Sequence, residues 1–284
     1  MAAIFSFPRA ARRERPLHHF KESKAMKSRI SPARMMTFGL VLSVAVISSA
    51  AVQAMDADEL IAKSIEATGG LEKIQSVKSV KMTGKFLAQG MEFPFTMTQK
   101  RPNRMRIDAD IMGATMVQCY DGEKGWGINP MTGSTDPQPM SAMEEMSFKL
   151  QADMDGVLVD YAEKGYTVEY IGEEDVEGTP TYQLRIDTNN GIVMKVFFDT
   201  EYFLTIKSAN KITVDESEFE TQTYLSDYQE VDGLLIPFAV ETRTGDTVMN
   251  QIMMEKVEHG IEVDDSLFVM PEAPAAPSIP EKAE

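Results

Sequence analysis

Reactive side chains are scarce in this 284-residue chain, which holds one cysteine (Cys119), one tryptophan (Trp126) and three histidines. A lone cysteine excludes an intrachain disulfide, a Cys-x-x-Cys redox pair and a Cys-rich metal site. His18 and His19 fall in a stretch that reads as a removable leader, so His259 alone remains beyond it. Most zinc sites need more ligands than that, and a Ser-His-Asp triad would have this one imidazole to build on. Positive charge is scarce too: 28 Lys+Arg face 44 Asp+Glu. Residues 1–54 hold nine of the basic and two of the acidic groups, which leaves 19 against 42 in the remainder. Such a surface excludes nucleic acid as a partner, because phosphate contacts need a basic face, and anionic membranes repel it.

Long apolar runs are missing as well. The one hydrophobic segment, Thr37 to Ala51, is broken by Ser43, Ser48 and Ser49 and is shorter than the roughly 20 residues of a membrane span. Lys27, Arg29 and Arg34 precede it and Val52-Gln53-Ala54 follows, the pattern of a secretory signal peptide cleaved after Ala54. A start at Met26 gives that leader a conventional length. A twin-arginine reading of Arg12-Arg13 is disfavoured, because the pair lies far from the apolar segment. Met55, not a cysteine that could carry an acyl anchor, directly follows Ala54, so the exported product is expected not to be membrane-anchored.

What is present is alternation. Asp56 to Thr68 has helical spacing, with Ala57, Ile61, Ile65 and Thr68 on one face and Asp56 with Glu59 as a capping box; Leu71 to Gln75 adds a turn. From Val77 the period becomes two, the mark of half-buried strands. About five strands precede a Pro-, Gly- and Ser-rich segment at 129–140, a second capping box (Ser141, Glu144) opens a helix to Met154, and six or seven strands follow. Among the turns are Gln89-Gly90, Asp121-Gly122 and Asn190-Gly191; Glu173-Glu174-Asp175 reads as an acidic turn. Short turns imply antiparallel neighbours, and an open sheet with so many strands curls. The expectation is an α+β fold: residues 55–270 form a single domain built on a long antiparallel meander, its concave face covered by amphipathic helices. Residues 271–284, with four prolines, read as a disordered tail.

Methionine is the compositional anomaly: 17 of 21 lie beyond Ala54. Each one alone reads as core filler, but their concentration on the first strands and the inserted helix points to an adaptable apolar cavity. Arg101, in Lys100-Arg101-Pro102-Asn103, reads either as a solvated turn residue or as a latch donating to carbonyls or a carboxylate at the end of a covering helix. Other candidates are weak. Asp153-Met154-Asp155-Gly156 lacks the remaining ligands of a calcium loop, His259 stands alone at a strand end, and Cys119 reads as a small buried hydrophobe.

The run from Lys100-Arg101-Pro102-Asn103 through Asp121-Gly122 and Trp126 to Asn129-Pro130 resembles the periplasmic lipoprotein-carrier family typified by LolA. Residues 224–241 resemble broader outer-membrane lipoprotein-sorting proteins. The resemblance implies an unclosed half-barrel lidded by helices, with an apolar cavity for acyl chains and the family's latch arginine at Arg101. A family aromatic falls on Met105. The partners implied are a lipidated protein or lipid cargo, an inner-membrane donor and an outer-membrane acceptor, with no cofactor, no metal and no enzymatic step.

On this reading the cavity draws its lining from Met82, Phe86, Phe93, Phe95, Met97, Met105, Ile107 and Met116, with Met143, Met146 and Leu150 on the lid underside. Alternation shows which residues share a face but not which face is concave. An envelope lipid sensor on the same fold is the second reading, and a carboxylate-dependent hydrolase the third.

Overall fold

The computed structural model describes residues 55–133, 135–189, 191–214 and 217–272. The expected leader, Asn190 of the expected Asn190-Gly191 turn, and the tail from residue 273 lie outside them. The chain opens with α1 (Ala57–Ala67) and α2 (Leu71–Ser76), then β1 (Ser79–Ala88), β2 (Met91–Lys100), β3 (Arg104–Ile111), β4 (Ala114–Tyr120), β5 (Gly125–Ile128) and the short β6 (Gln138–Pro139). α3 (Ala142–Ala152) intervenes. Seven strands follow: β7 (Thr167–Val176), β8 (Thr179–Asp187), β9 (Ile192–Asp199), β10 (Thr205–Val214), β11 (Ser217–Val231), β12 (Leu234–Thr244) and β13 (Thr247–His259).

All 13 strands join one antiparallel sheet in the order β6-β5-β4-β3-β2-β1-β13-β12-β11-β10-β9-β8-β7. β1 therefore pairs with β13, and the strands flanking α3 in the chain become the two edges of the sheet among the described residues. Register shifts interrupt the β1/β13, β12/β13, β9/β10 and β7/β8 ladders. Each extra residue bends its strand and increases the local twist, so a sheet this wide curls without closing. Gly84 marks the tightest of these places: a Cβ there would lie 2.2 Å from the Met253 carbonyl oxygen. A glycine is required for β13 to approach so closely.

The register defines two faces. Val80, Met82 and Phe86 of β1 stand opposite Gln99, Met97 and Phe93 of β2, and Met105, Ile107 and Ala109 of β3 continue the same side. Followed through β13, β12, β11 and β10, this face reaches Val196 of β9 and Leu184 and Ile186 of β8. There α1 lays Leu60 and Ile61 against Leu184, Ile186, Val196 and Phe198. α3 packs on β3, β4 and β5. Both helices thus cover one face, which is the concave one.

Two local expectations need correction. The Asp56 side chain makes no cap bond, and Glu59 instead pairs with Lys63 at 2.7 Å. The α1 face lies where the spacing placed it, Ile61 buried and Ala57 and Ile65 packed on the same cluster, with Leu60 and Ser64 widening the buried stripe. Glu173, Glu174 and Asp175 extend β7 rather than turning; the bend comes at Glu177-Gly178, both with positive φ. The second capping box forms as expected, Ser141 Oγ accepting from Glu144 N and Glu144 Oε2 from Ser141 N.

Opposite the helices, the convex face of β3–β5 is covered by the C-terminal segment. Trp126 Nε1 donates to the Phe268 carbonyl at 2.8 Å, Arg106 Nη1 to the Leu267 carbonyl at 2.9 Å, and Lys100 and Arg104 both reach Asp265, at 2.6 and 2.5 Å. Cys119 is fully buried there, and burial pushes its thiol pKa up to about 12. The lone tryptophan and lone cysteine are core parts of this strap.

Candidate functional site

Beneath α2 and the loop that follows α3, the concave face holds a cavity of about 400 Å³. Val80 and Met82 from β1, Met97 and Gln99 from β2 and Met105 from β3 form one wall; Leu234, Leu235 and Ile236 of β12 form another. Met154, Gly156, Ile74 and Val77 close it from the helix side. The volume falls at the lower end of the roughly 300–1,000 Å³ of small-molecule sites.

The eight sheet residues nominated from the sequence all lie on this concave face, and each is buried. Met82, Met97 and Met105 line the cavity itself. Phe86, Phe93, Phe95, Ile107 and Met116 lie on the same face but outside the lining. The stripe nominated on α3 is not the one turned to the sheet. Phe148 and Ala152 are buried there, Met143 is 47% exposed, and Met146 and Leu150 are only half-buried. Their spacing is helical, but so is that of Phe148 and Ala152, and packing on β3, β4 and β5 turns the second pair inward.

Arg101, at the end of β2, sits where sheet, α2 and the loop after α3 meet. Its Nη1 and Nη2 donate to both oxygens of Asp155 at 2.7 and 2.6 Å, its Nε to the Val77 carbonyl at 2.8 Å and Nη2 also to the Ile74 carbonyl at 3.0 Å. The planar fork suits a bidentate carboxylate pair. The Arg101 hydrogen bond, reinforced by its charge, holds the Asp155 carboxyl below the ordinary carboxylate range against the opposing effect of burial. The loop onward from Asp155 is tied twice more. Lys164 pairs with Asp153 at 2.5 Å, and the Tyr161 hydroxyl donates to Asp58 of α1 at 2.8 Å. α3, this loop and α1 therefore form a continuous cover whose centre is joined to the sheet through Arg101.

Gln99 makes a second connection, its Nε2 donating to the Gln151 carbonyl at the end of α3 at 2.8 Å. Sequence reasoning missed Gln99, Gln151, Leu234 and Ile236 as lining. Gln99 occupies a position where strict alternation called for an apolar side chain, and that break was the available clue. His259 also reaches the cavity, with Nδ1 3.1 Å from Asp232 Oδ2.

Chemically the site offers little for bond-making. Asp153 and Asp155 both reach the cavity, but each is ion-paired, and Asp155 favours its charged form. A general acid would need the opposite shift. Among the described residues no group of three or more His, Cys, Asp or Glu is placed to hold a metal ion, and no helix is long and apolar enough to cross a membrane.

No known family model matches this chain, and no curated protein sequence does. Solved structures do. A LolA superfamily protein from Nitrosomonas europaea superposes with a TM-score of 0.53 at 11% identity, covering 76% of this chain and 98% of that one. A DUF1329 family protein from Desulfovibrio piger gives 0.53 at 12% identity, covering 75% and 97%. At such identities the likeness concerns the fold: this chain has the open, helix-covered antiparallel sheet of the LolA superfamily protein.

Proposed function

We propose that the protein is a non-enzymatic periplasmic carrier that shelters the acyl chains of a lipidated protein or related lipid, passing them from an inner-membrane donor to an outer-membrane acceptor. One observation carries this reading: a cavity walled by Met82, Met97, Met105 and Met154 lies beneath a cover fastened through Arg101. Methionine has three rotatable bonds and a polarisable sulfur, so such walls accept chains of differing shape. The export pattern before Ala54 supports a periplasmic location, and the shared fold supports a carrier.

Energetics favour a lid that resists. An acyl chain of about 16 carbons, at roughly 0.8 kcal/mol per methylene, gains up to about 12 kcal/mol on burial. Two such chains in a permanently open trough would hardly leave. If loading must first displace Arg101 from Asp155, Val77 and Ile74, part of that gain goes into opening, and binding becomes reversible.

The test is transfer of a labelled acylated peptide from donor to acceptor vesicles. Protein-dependent transfer is expected. No transfer, together with stable capture of an inner-membrane regulator, would favour the sensor reading instead.

A further inference from the structure

We propose that the concave face carries a second, polar subsite on β10–β13, which takes the carbonyl and hydroxyl groups of an amphiphile whose tails lie toward the methionine-lined end. This rests on the carrier reading above. It begins from five buried side-chain atoms that lack a hydrogen-bond partner among the described residues: Gln118 Oε1, Gln151 Oε1, Asn210 Oδ1, Thr223 Oγ1 and Thr242 Oγ1. By strand register, Gln118, Asn210, Thr223 and Thr242 all belong to the concave face, and Gln151 lines the cavity. Such atoms are rare and unfavourable in a folded protein, and here they gather on one side of the sheet.

Three of the five form a strip. Thr223 of β11 stands opposite Thr242 of β12, and Thr242 in turn opposite Asn250 of β13. Ser208 of β10 is the other neighbour of Thr223, with Asn210 two residues along. Thr223 and Thr242 are 3% and 2% exposed, so their hydroxyls are held inside the fold. The helices pack on the flanks, α1 on β7–β9 and α3 on β3–β5, and the strip lies on the strands between. Neighbouring strands are about 4.8 Å apart, so the hydroxyls are spaced to reach successive polar groups of one ligand. Threonine hydroxyls donate to ester or amide carbonyls, and the Asn210 Oδ1 accepts from a hydroxyl or amide N–H.

The strip also gives the trough a direction. Leu234 of β12 lines the methionine-walled cavity, and Thr242 lies farther along the same strand, about 26 Å away at roughly 3.3 Å per residue. Hydrocarbon at the Arg101 end and ester or amide linkages at the Thr242 end would seat an acylated amphiphile in one orientation.

The experiment compares wild type with the double variant Thr223→Val, Thr242→Val, which keeps side-chain shape and strand preference while removing both hydroxyls. Two ligands are measured by displacement of a fluorescent acyl probe: 1-palmitoylglycerol, with ester and hydroxyls, and hexadecane, with neither. The double variant is expected to lose about tenfold in affinity for the glycerol ester, about 1.4 kcal/mol, and to keep hexadecane binding unchanged. Unchanged affinity for both would show that water alone satisfies these hydroxyls, and would overturn the subsite. An equal loss for both would mean a packing defect and overturn it too. If wild type binds neither ligand, the carrier reading fails and the subsite with it.

Discussion

Replacing Arg101 by leucine is the perturbation with the most to say about the cover. The change removes two charge-assisted bonds to Asp155 and two bonds to the carbonyls of Val77 and Ile74. For a fully buried pair, loss of one partner costs about 3–5 kcal/mol. Here the two side chains keep 18% and 22% of their exposure, so water recovers part of the loss. About 2–3 kcal/mol is a reasonable figure for the local contact. That shifts the closed-to-open ratio by about 30- to 140-fold. Backbone amide exchange reads this directly, because opening of a local segment exposes its amides. Exchange in 71–78 and 153–166 should accelerate by that factor, while β8 and β9 under α1 stay protected. Arg101→Lys keeps the charge but not the fork, and should fall between. Wild-type exchange in both segments of Arg101→Leu would refute the idea that this arginine holds the cover down.

Other outcomes follow from the same geometry. Asp155 has a depressed pKa in the fold, so its stabilising contribution is complete above its ordinary value of 3.8 and disappears as pH falls through the depressed one. Segment exchange, corrected for its intrinsic pH dependence, should therefore be flat between roughly pH 5 and 8 and rise only in stronger acid; a transition near neutrality would contradict the assignment. Gly84→Ala must push β13 away from β1, since the new Cβ meets backbone, and should destabilise by about 2–3 kcal/mol, seen as a Tm lowered by about 5–10 °C. An unchanged Tm would show that the bulge relaxes freely. Cys119, buried with its thiol raised to about 12, should resist a maleimide at neutral pH until the protein is denatured; rapid native labelling would mean the C-terminal strap opens readily.

Much of this architecture was legible in the residues, for a physical reason. Strand alternation is local, so Met82, Met97 and Met105 could be assigned to one face before any pairing was known. The capping box at Ser141 and Glu144 is equally local. Pairing between β1 and β13 is not: the two strands lie at opposite ends of the described chain, and no turn joins them. Without that pairing the concave face cannot be chosen, nor can Leu234 and Ile236 be placed across from the methionines. The α3 stripe shows a different limit. Met143, Met146 and Leu150 and the pair Phe148 and Ala152 are both helically spaced, and tertiary packing chose the second. Arg101 could be nominated from its motif, but its partner Asp155 comes from a loop whose acidic residues looked like a fragment of a calcium site. The threonine strip gave no sign at all, because isolated polar residues in a strand normally face solvent.

Native mass spectrometry of the protein purified from its own envelope tests the central claim most directly. A population heavier than the polypeptide by one acylated molecule, with that mass lost after organic extraction, is the predicted spectrum. A bare polypeptide mass in every preparation, together with failure to take up an acyl probe added afterwards, would contradict an acyl-sheltering concavity.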